Sequence, residues 1–273
     1  MPFEKELEVA LAAAAVAGGL VRELYQQFVA IPDAPADIST AADRDAQELI
    51  LREIQRAFPG DALCAEEPTA TLAAAPRAGP RLWIVDPIDG SRGFAVKNGE
   101  FCVMIAFVHE RRIEVGVVLE PTTERLTFAA RGTGCWQCKR PCADRKACYV
   151  SATASLDTAV VVQSRSRTAL ESPVVKLLKP ARVVETYSAG VKLARVATGE
   201  VDLYANIYPA FHDWDICAGH ILVEEAGGRV TTLTGAEIGY GGDGNKQRGG
   251  MLASNGAIHQ STLSRLESIA ATM

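Results

Sequence analysis

The chain has 273 residues, 48% of them hydrophobic and 22% charged, with a formal net charge of −5. That length supports a large core, as one big domain or two packed lobes, and the composition is that of a soluble globular protein. The acidic balance leaves no basic footprint for a nucleic-acid polymer, although a metal and a few local cations would suffice to hold a free nucleotide.

The opening Met1-Pro2-Phe3-Glu4-Lys5-Glu6 lacks a basic region of the signal-peptide kind. The apolar run from Val9 to Val21 is too short and too rich in Ala and Gly for a membrane span, so no membrane partner is expected. Seven cysteines, an odd number, without an export signal predict a reducing, cytoplasmic setting.

In chain order, Glu4–Val29 predicts a long Ala-rich helix that ends near Ile31-Pro32. Pro32–Ser39 reads as a loop. Thr40-Ala41-Ala42-Asp43 reads as a helix start, with Leu49, Ile50, Ile54 and Phe58 on one face and Pro59-Gly60 as the stop. Ala62–Ala65 is a short strand delivering Glu66-Glu67, and a loop continues to Pro80. Alternating runs at Phe101–His109, Ile113–Leu119 and Arg125–Ala130 predict an antiparallel meander. Cys135, Cys138, Cys142 and Cys148 follow in Gly132–Val150. The first pair has the C-x2-C spacing of a zinc knuckle, but the second half is C-x5-C, so a hairpin tip carrying thiols is the simpler reading.

Beyond residue 150 strands and helices alternate. Val160–Gln163, Arg182–Glu185, Val201–Tyr204, Gly228–Thr232 and Met251–Ser254 read as strands. Leu170–Leu178, Ala189–Ala197, Trp214–Ala226 and Ala257–Ala270 read as helices. The pattern predicts an α+β lobe over 1–150 and an α/β lobe over 151–273. The Gly-rich stretch Gly239–Gly250 lacks the strand and helix of a phosphate loop and reads as a flexible surface connection.

The chemistry concentrates at Trp83-Ile84-Val85-Asp86-Pro87-Ile88-Asp89-Gly90-Ser91. Trp83 to Val85 read as the end of a buried strand, which turns at once into two carboxylates three positions apart. Carboxylates this close repel unless a cation sits between them. Gly90 and Ser91 can open a helix or a nest of N–H groups for an anion. Asp-Pro and Asp-Gly are also common turn dipeptides, so the stretch alone is equally consistent with ordinary turn chemistry. Three further carboxylates stand at element ends: Glu66 after a strand, Asp215 after Trp214 as a helix opener or N-cap, and Asp43, for which a cap is the simpler reading. Of the four histidines, His109 lies in the meander and His259 in the last helix. His212 and His220 flank Asp215 and are read as packing or substrate-rim residues, because a hard cation of the kind a carboxylate pair suits prefers oxygen.

Asp-Pro-Ile-Asp-Gly-Ser at 86–91, Glu66-Glu67 upstream, Trp214-Asp215-x-x-Ala218-Gly219 and Glu225-Ala226-Gly227-Gly228 downstream together resemble the inositol monophosphatase superfamily. The resemblance runs from Thr40–Asp43 to the last strand. It implies a layered α-β-α-β-α sandwich and a Mg2+-dependent phosphomonoesterase acting on a small phosphorylated substrate, often as a homodimer. By resemblance, Glu66, Asp86 and the Ile88 carbonyl hold one Mg2+, and Asp86, Asp89 and Asp215 hold a second. Asp43 supports a weaker third through water. Gly90 and Ser91 cradle the phosphate, while Ser91 and Glu66 orient the attacking water. Ser91 stands where the family usually has Thr, which keeps the hydroxyl but loses the branch that fixes its rotamer. Sensitivity to Li+ is a further implication.

Ser91-Arg92-Gly93-Phe94 with Asn98-Gly99-Glu100-Phe101 is similar to the CysQ-type 3′(2′),5′-bisphosphate nucleotidase branch. Ser164-Arg165-Ser166-Arg167 and the Lys192 segment are similar as well, so Arg165, Arg167 and Lys192 are the expected holders of a second phosphate. Inositol monophosphate, or another sugar or polyol phosphate, is the alternative substrate. A non-catalytic binding protein of the same fold is the alternative class, and it would show by the loss of a metal ligand.

Overall fold

The structure is a computed structural model and describes residues 2–35, 37–165, 172–208 and 210–272. The first helix, α1 (Glu4–Gln27), buries Leu7, Ala10, Ala14, Ala17 and Val21 along one stripe, the 3.6-residue period of an amphipathic helix. The second, α2 (Ala41–Ala57), starts at a capping box, in which Thr40 and Asp43 each satisfy the other's backbone end. After β1 (Ala62–Ala65) the expected loop contains a short helix, α3 (Ala70–Ala74). Then come β2 (Arg81–Asp89), α4 (Ser91–Ala95), β3 (Cys102–His109), β4 (Arg112–Glu120), β5 (Arg125–Ala130), β6 (Cys135–Lys139) and β7 (Lys146–Cys148).

The remainder runs β8 (Val160–Ser164), α5 (Pro173–Leu178), β9 (Arg182–Thr186), α6 (Ala189–Ala197), β10 (Leu203–Asn206), β11 (Ala210–His212), α7 (Cys217–Glu225), β12 (Arg229–Thr231), β13 (Lys246–Arg248), β14 (Met251–Ser254) and α8 (His259–Ala270). The first seven strands form one sheet in sequence order, and a five-stranded sheet runs β12-β14-β10-β8-β9. The strands β11 and β13 pair separately.

Alternation within the strands explains the layers. Trp83, Val85, Val103, Ile105 and Phe107 face α1 and α2, while Leu82, Ile84, Cys102, Met104 and Ala106 face α6 and α7. The far side of α6 and α7 meets Val162, Tyr204, Met251 and Ala253 of the five-stranded sheet, whose other face is covered by α5 and α8. The result is the layered α-β-α-β-α sandwich. The central helices sit very close to their neighbours: a Cβ on Gly116 would fall 2.4 Å from the Ala218 carbonyl oxygen, and one on Gly219 would fall 2.5 Å from Leu193.

Several expectations change. The stretch after Val85 does not turn, because β2 continues to Asp89 through a register shift. The expected strand at Val201–Tyr204 lies two residues later, and the stretch 239–250 is not a loose surface connection. Tyr240 is buried, the Gly241 amide donates to Asp213 Oδ2 at 2.8 Å, and β13 pairs with β11. In the β6–β7 region, Cys138 and Cys142 are joined as a disulfide, so they are not free thiols. Among the described residues, no helix is long and apolar enough to cross a membrane.

Candidate active site

The site begins with strand pairing. In β1 and β2, which run parallel, Ala65 is the partner of Val85, so the chain delivers Glu66 and Asp86 side by side as β1 ends. Gln47 of α2 fixes the approach: its Oε1 accepts from the Glu67 amide at 2.7 Å. Asp86 opposes Met104 and Asp89 opposes Cys102 on β3, so one extra residue is inserted between the two carboxylates. In a regular strand, positions three apart face opposite sides; a bulge of one residue restores the parity, and both aspartates face α6. Pro87 is tolerated inside this bulge because it has no ladder N–H to lose.

Asp89 is then tied down from the neighbouring layer. Its Oδ2 accepts from the Gly190 amide at 2.7 Å and from the Ser188 hydroxyl, both at the N-terminus of α6, where a carboxylate is favoured. Gly90 follows at φ 90°, with space for no side chain: a Cβ would lie 2.7 Å from the Glu100 carbonyl oxygen. Ser91 opens α4, with its hydroxyl 2.7 Å from Asp43 Oδ1 and 2.8 Å from the Ile88 carbonyl oxygen. Asp43 Oδ2 accepts from the Thr40 amide at 2.8 Å and the Thr40 hydroxyl at 2.6 Å. Asp43 is thus both a helix-capping residue and a partner of Ser91.

Asp215 does not open a helix. It instead ends a 3-10 turn over Asp213–Asp215, two residues before α7, and its Oδ2 accepts from the His212 amide at 2.6 Å. His212 stacks on Trp214 with ring centroids 4.2 Å apart. His220 is a packing residue held by Tyr240 and Glu224.

These groups share one cavity of about 620 Å³. Glu66, Asp86, Ile88, Asp89 and Asp215 line it together with Gly90, Ser91, Arg92, Arg165, Tyr187, Lys192 and Tyr204. The carboxylates strain against one another. Burial, then the charges of Glu66, Asp89, Asp215 and Asp43, push the Asp86 carboxyl far up. Enclosure in the pocket and the charges of Asp43, Asp215, Glu67 and Asp89 raise Glu66 to about 8, although its side chain still opens to water at the pocket mouth. Burial, opposed by the His212 amide, raises Asp215 to about 7.

This donor set fits a hard divalent cation: it is all carboxylate and carbonyl oxygen, and its repulsion is of the kind a cation relieves. Among the described residues, no three His, Cys, Asp or Glu side chains already converge on one point. The same holds for the cysteine cluster. Cys135 belongs to the core beneath α7 and Cys138 to the core beneath α1, on opposite faces of β6.

The expected substrate cations fare differently. Lys192 is 1% exposed, and its Nζ donates to Ser164 Oγ at 3.1 Å and the Tyr187 carbonyl oxygen at 3.2 Å. Burial lowers its pKa to about 8. Arg165 lines the cavity but is already neutralised by Glu100, at 2.5 and 3.2 Å, and lies 3.7 Å from Glu185. Arg167 lies outside the described residues. Sequence reasoning missed Ser188 and Gly190 as supports of Asp89, and Tyr187, Tyr204 and Asn206 as pocket walls; no local motif marks any of them.

Fold and pocket together suit a hydrolase of phosphoric monoesters. Comparison with known proteins narrows this to a family: the model of the inositol monophosphatase family matches residues 3–271, and the chain belongs to that family. It is 32% identical over 224 residues to a fructose-1,6-bisphosphatase/inositol-1-monophosphatase of Thermotoga maritima, covering 82% of this chain and 80% of that protein. It is 31% identical over 267 residues to a histidinol-phosphatase of Mycobacterium tuberculosis, covering 96% and 97%. The solved structure of a Thermotoga maritima IMPase superposes with a TM-score of 0.81 at 28% identity, covering 98% of this chain and 99% of that one. None of the three is a bisphosphate nucleotidase by name.

Proposed function

We propose that the protein is a Mg2+-dependent phosphomonoesterase acting on a small sugar or polyol phosphate. The observation that carries this reading is the β2 bulge, which turns Asp86 and Asp89 to one face beside Glu66 and Asp215. Glu66, Asp86, the Ile88 carbonyl, Asp89 and Asp215 would hold two Mg2+, with Asp43 supporting a weaker third site. Bound there, the cations supply charge neutralisation and a water of lowered pKa for in-line displacement.

The chain's own residues do the positioning. Ser91 donates its one proton to Asp43 or to the Ile88 carbonyl, which leaves its oxygen lone pairs turned outward to accept from the attacking water. Glu66 supplies a second acceptor for that water at the mouth of the pocket. Gly90 and the start of α4 offer backbone N–H groups to the phosphate. Ser188 and Gly190 keep Asp89 from rotating away.

The 3′(2′),5′-bisphosphate nucleotidase reading keeps Lys192 in its favour and loses support at Arg165, whose charge Glu100 already takes up. A phosphate-release panel in Mg2+ decides between the readings. We expect inositol 1-phosphate or a sugar phosphate to be cleaved faster than 3′-phosphoadenosine 5′-phosphate, and all cleavage to stop in EDTA. Turnover in chelator would overturn the metal assignment, and faster cleavage of the bisphosphate nucleotide would restore the nucleotidase reading.

A further inference from the structure

The cations around the cavity are in three different states. Arg165 is paired with Glu100, and Lys192 is buried on the neutral oxygens of Ser164 and Tyr187. Arg92 has neither kind of partner. Its guanidinium lies over the Tyr187 ring, 5.1 Å from the centroid. Among the described residues none of its nitrogens meets a carboxylate or other acceptor, and its Nε is enclosed with no partner. An arginine stays charged at any working pH, and a partly desolvated guanidinium without an anion is unfavourable unless something else supplies one. Cation–π contact with Tyr187 holds its plane but neutralises nothing.

Position argues against the scissile phosphate as that anion. The Ser91 hydroxyl sits between Asp43 and the Ile88 carbonyl, whereas the Arg92 guanidinium is held over the Tyr187 ring, so the two neighbours reach different parts of the cavity. A group bound by Arg92 therefore belongs to the alcohol part of the substrate. A planar fork of donors matches a carboxylate or a phosphate.

We propose that Arg92, set on the face of Tyr187, binds a second anionic group on the alcohol portion of the substrate. The enzyme then favours phosphorylated sugars or polyols carrying a carboxylate or second phosphate over those bearing hydroxyls alone. This rests on the phosphomonoesterase reading above.

The test is kcat/KM in Mg2+ for four esters. Glycerol 2-phosphate and inositol 1-phosphate carry hydroxyls only, 3-phosphoglycerate adds a carboxylate, and fructose 1,6-bisphosphate adds a second phosphate. The unmodified enzyme should prefer at least one acidic ester by about tenfold or more, mainly through KM, and which one it prefers identifies the anion. Arg92→Gln should cut that preference by about tenfold, and Arg92→Lys should restore part of it, since a point charge replaces the fork. Arg92→Gln gives up the weak contact with Tyr187 and no hydrogen bond, so the variant should stay folded with only a small change in melting temperature. No preference in the unmodified enzyme, or an equal loss on all four esters in Arg92→Gln, overturns the proposal. Unselective cleavage of the hydroxyl-only esters leaves the phosphomonoesterase reading standing; release from none of the four sinks that reading and this inference with it.

Discussion

Two stretches of this chain carry potential metal ligands at the same spacing, Asp86-x-x-Asp89 in β2 and Cys135-x-x-Cys138 in β6, and the fold treats them oppositely. In β6 the ladder is regular, so residues three apart face opposite sides. Cys135 points into the core under α7, beside its cross-strand partner Cys148, while Cys138 points toward α1 and bonds to Cys142. In β2 one inserted residue reverses the parity, and both aspartates face one cavity. The spacing of ligands therefore says little until the pairing of the strand is known.

The largest effects should come from undoing that difference. Inserting one alanine between Val103 and Met104 gives the extra residue of β2 a partner on β3, so the ladder becomes regular, Asp86 and Asp89 face apart, and phosphatase activity should fall to background. Asp86→Asn, which keeps the bulge but removes the central carboxylate, should do the same. Both variants should retain their far-UV circular dichroism. An active insertion variant would mean the bulge does not build the site.

Next in size is Ser91→Ala, expected to lower kcat about 10²-fold with a smaller change in KM, while Ser91→Thr stays active. Asp43→Asn, acting on Ser91 from outside, should cost about 10- to 100-fold. Losses equal to those of Asp86→Asn would contradict the roles given to Ser91 and Asp43.

A third experiment concerns the protein without metal. Glu66 at about 8 and Asp215 at about 7 lie above the ordinary carboxylate range in the folded state. Groups raised on folding stabilise at low pH and lose that contribution as pH rises through their folded values. Buried His259, lowered to about 4, works in the other direction but is spent above its ordinary pKa near 6.5. Between pH 6.5 and 8 the melting temperature in EDTA should therefore fall, and Mg2+ should flatten the slope. A flat profile in EDTA would remove the electrostatic argument for a cation.

The smallest effect is expected at β6. Cys135→Ser and Cys148→Ser should change kcat/KM by less than about twofold, and the hairpin should take up no stoichiometric zinc in an equilibrium dialysis measurement, because tetrahedral ligation needs its thiols on one side. Tight zinc binding there would show that the two stretches are less different than the ladder implies.

By itself the sequence determined much of the framework. The stripe of α1, the Thr40–Asp43 cap, the alternation of the meander and the two acidic motifs are all local patterns, readable because side-chain direction follows from period alone. It also supplied every ligand candidate, since donor chemistry belongs to the residue type. What only the tertiary structure decided involves parity or distance. The bulge at Pro87-Ile88 depends on the register against β3, and without it Asp86 and Asp89 would face apart. Asp89 is braced by Ser188 and Gly190, about a hundred positions away, and Arg165 is silenced by Glu100, 65 positions away. Arg92, like Arg165, follows a serine in the sequence, yet among the described residues its Nε has no hydrogen-bond partner. No periodicity encodes such partners, because they meet only when α6 packs between the two sheets.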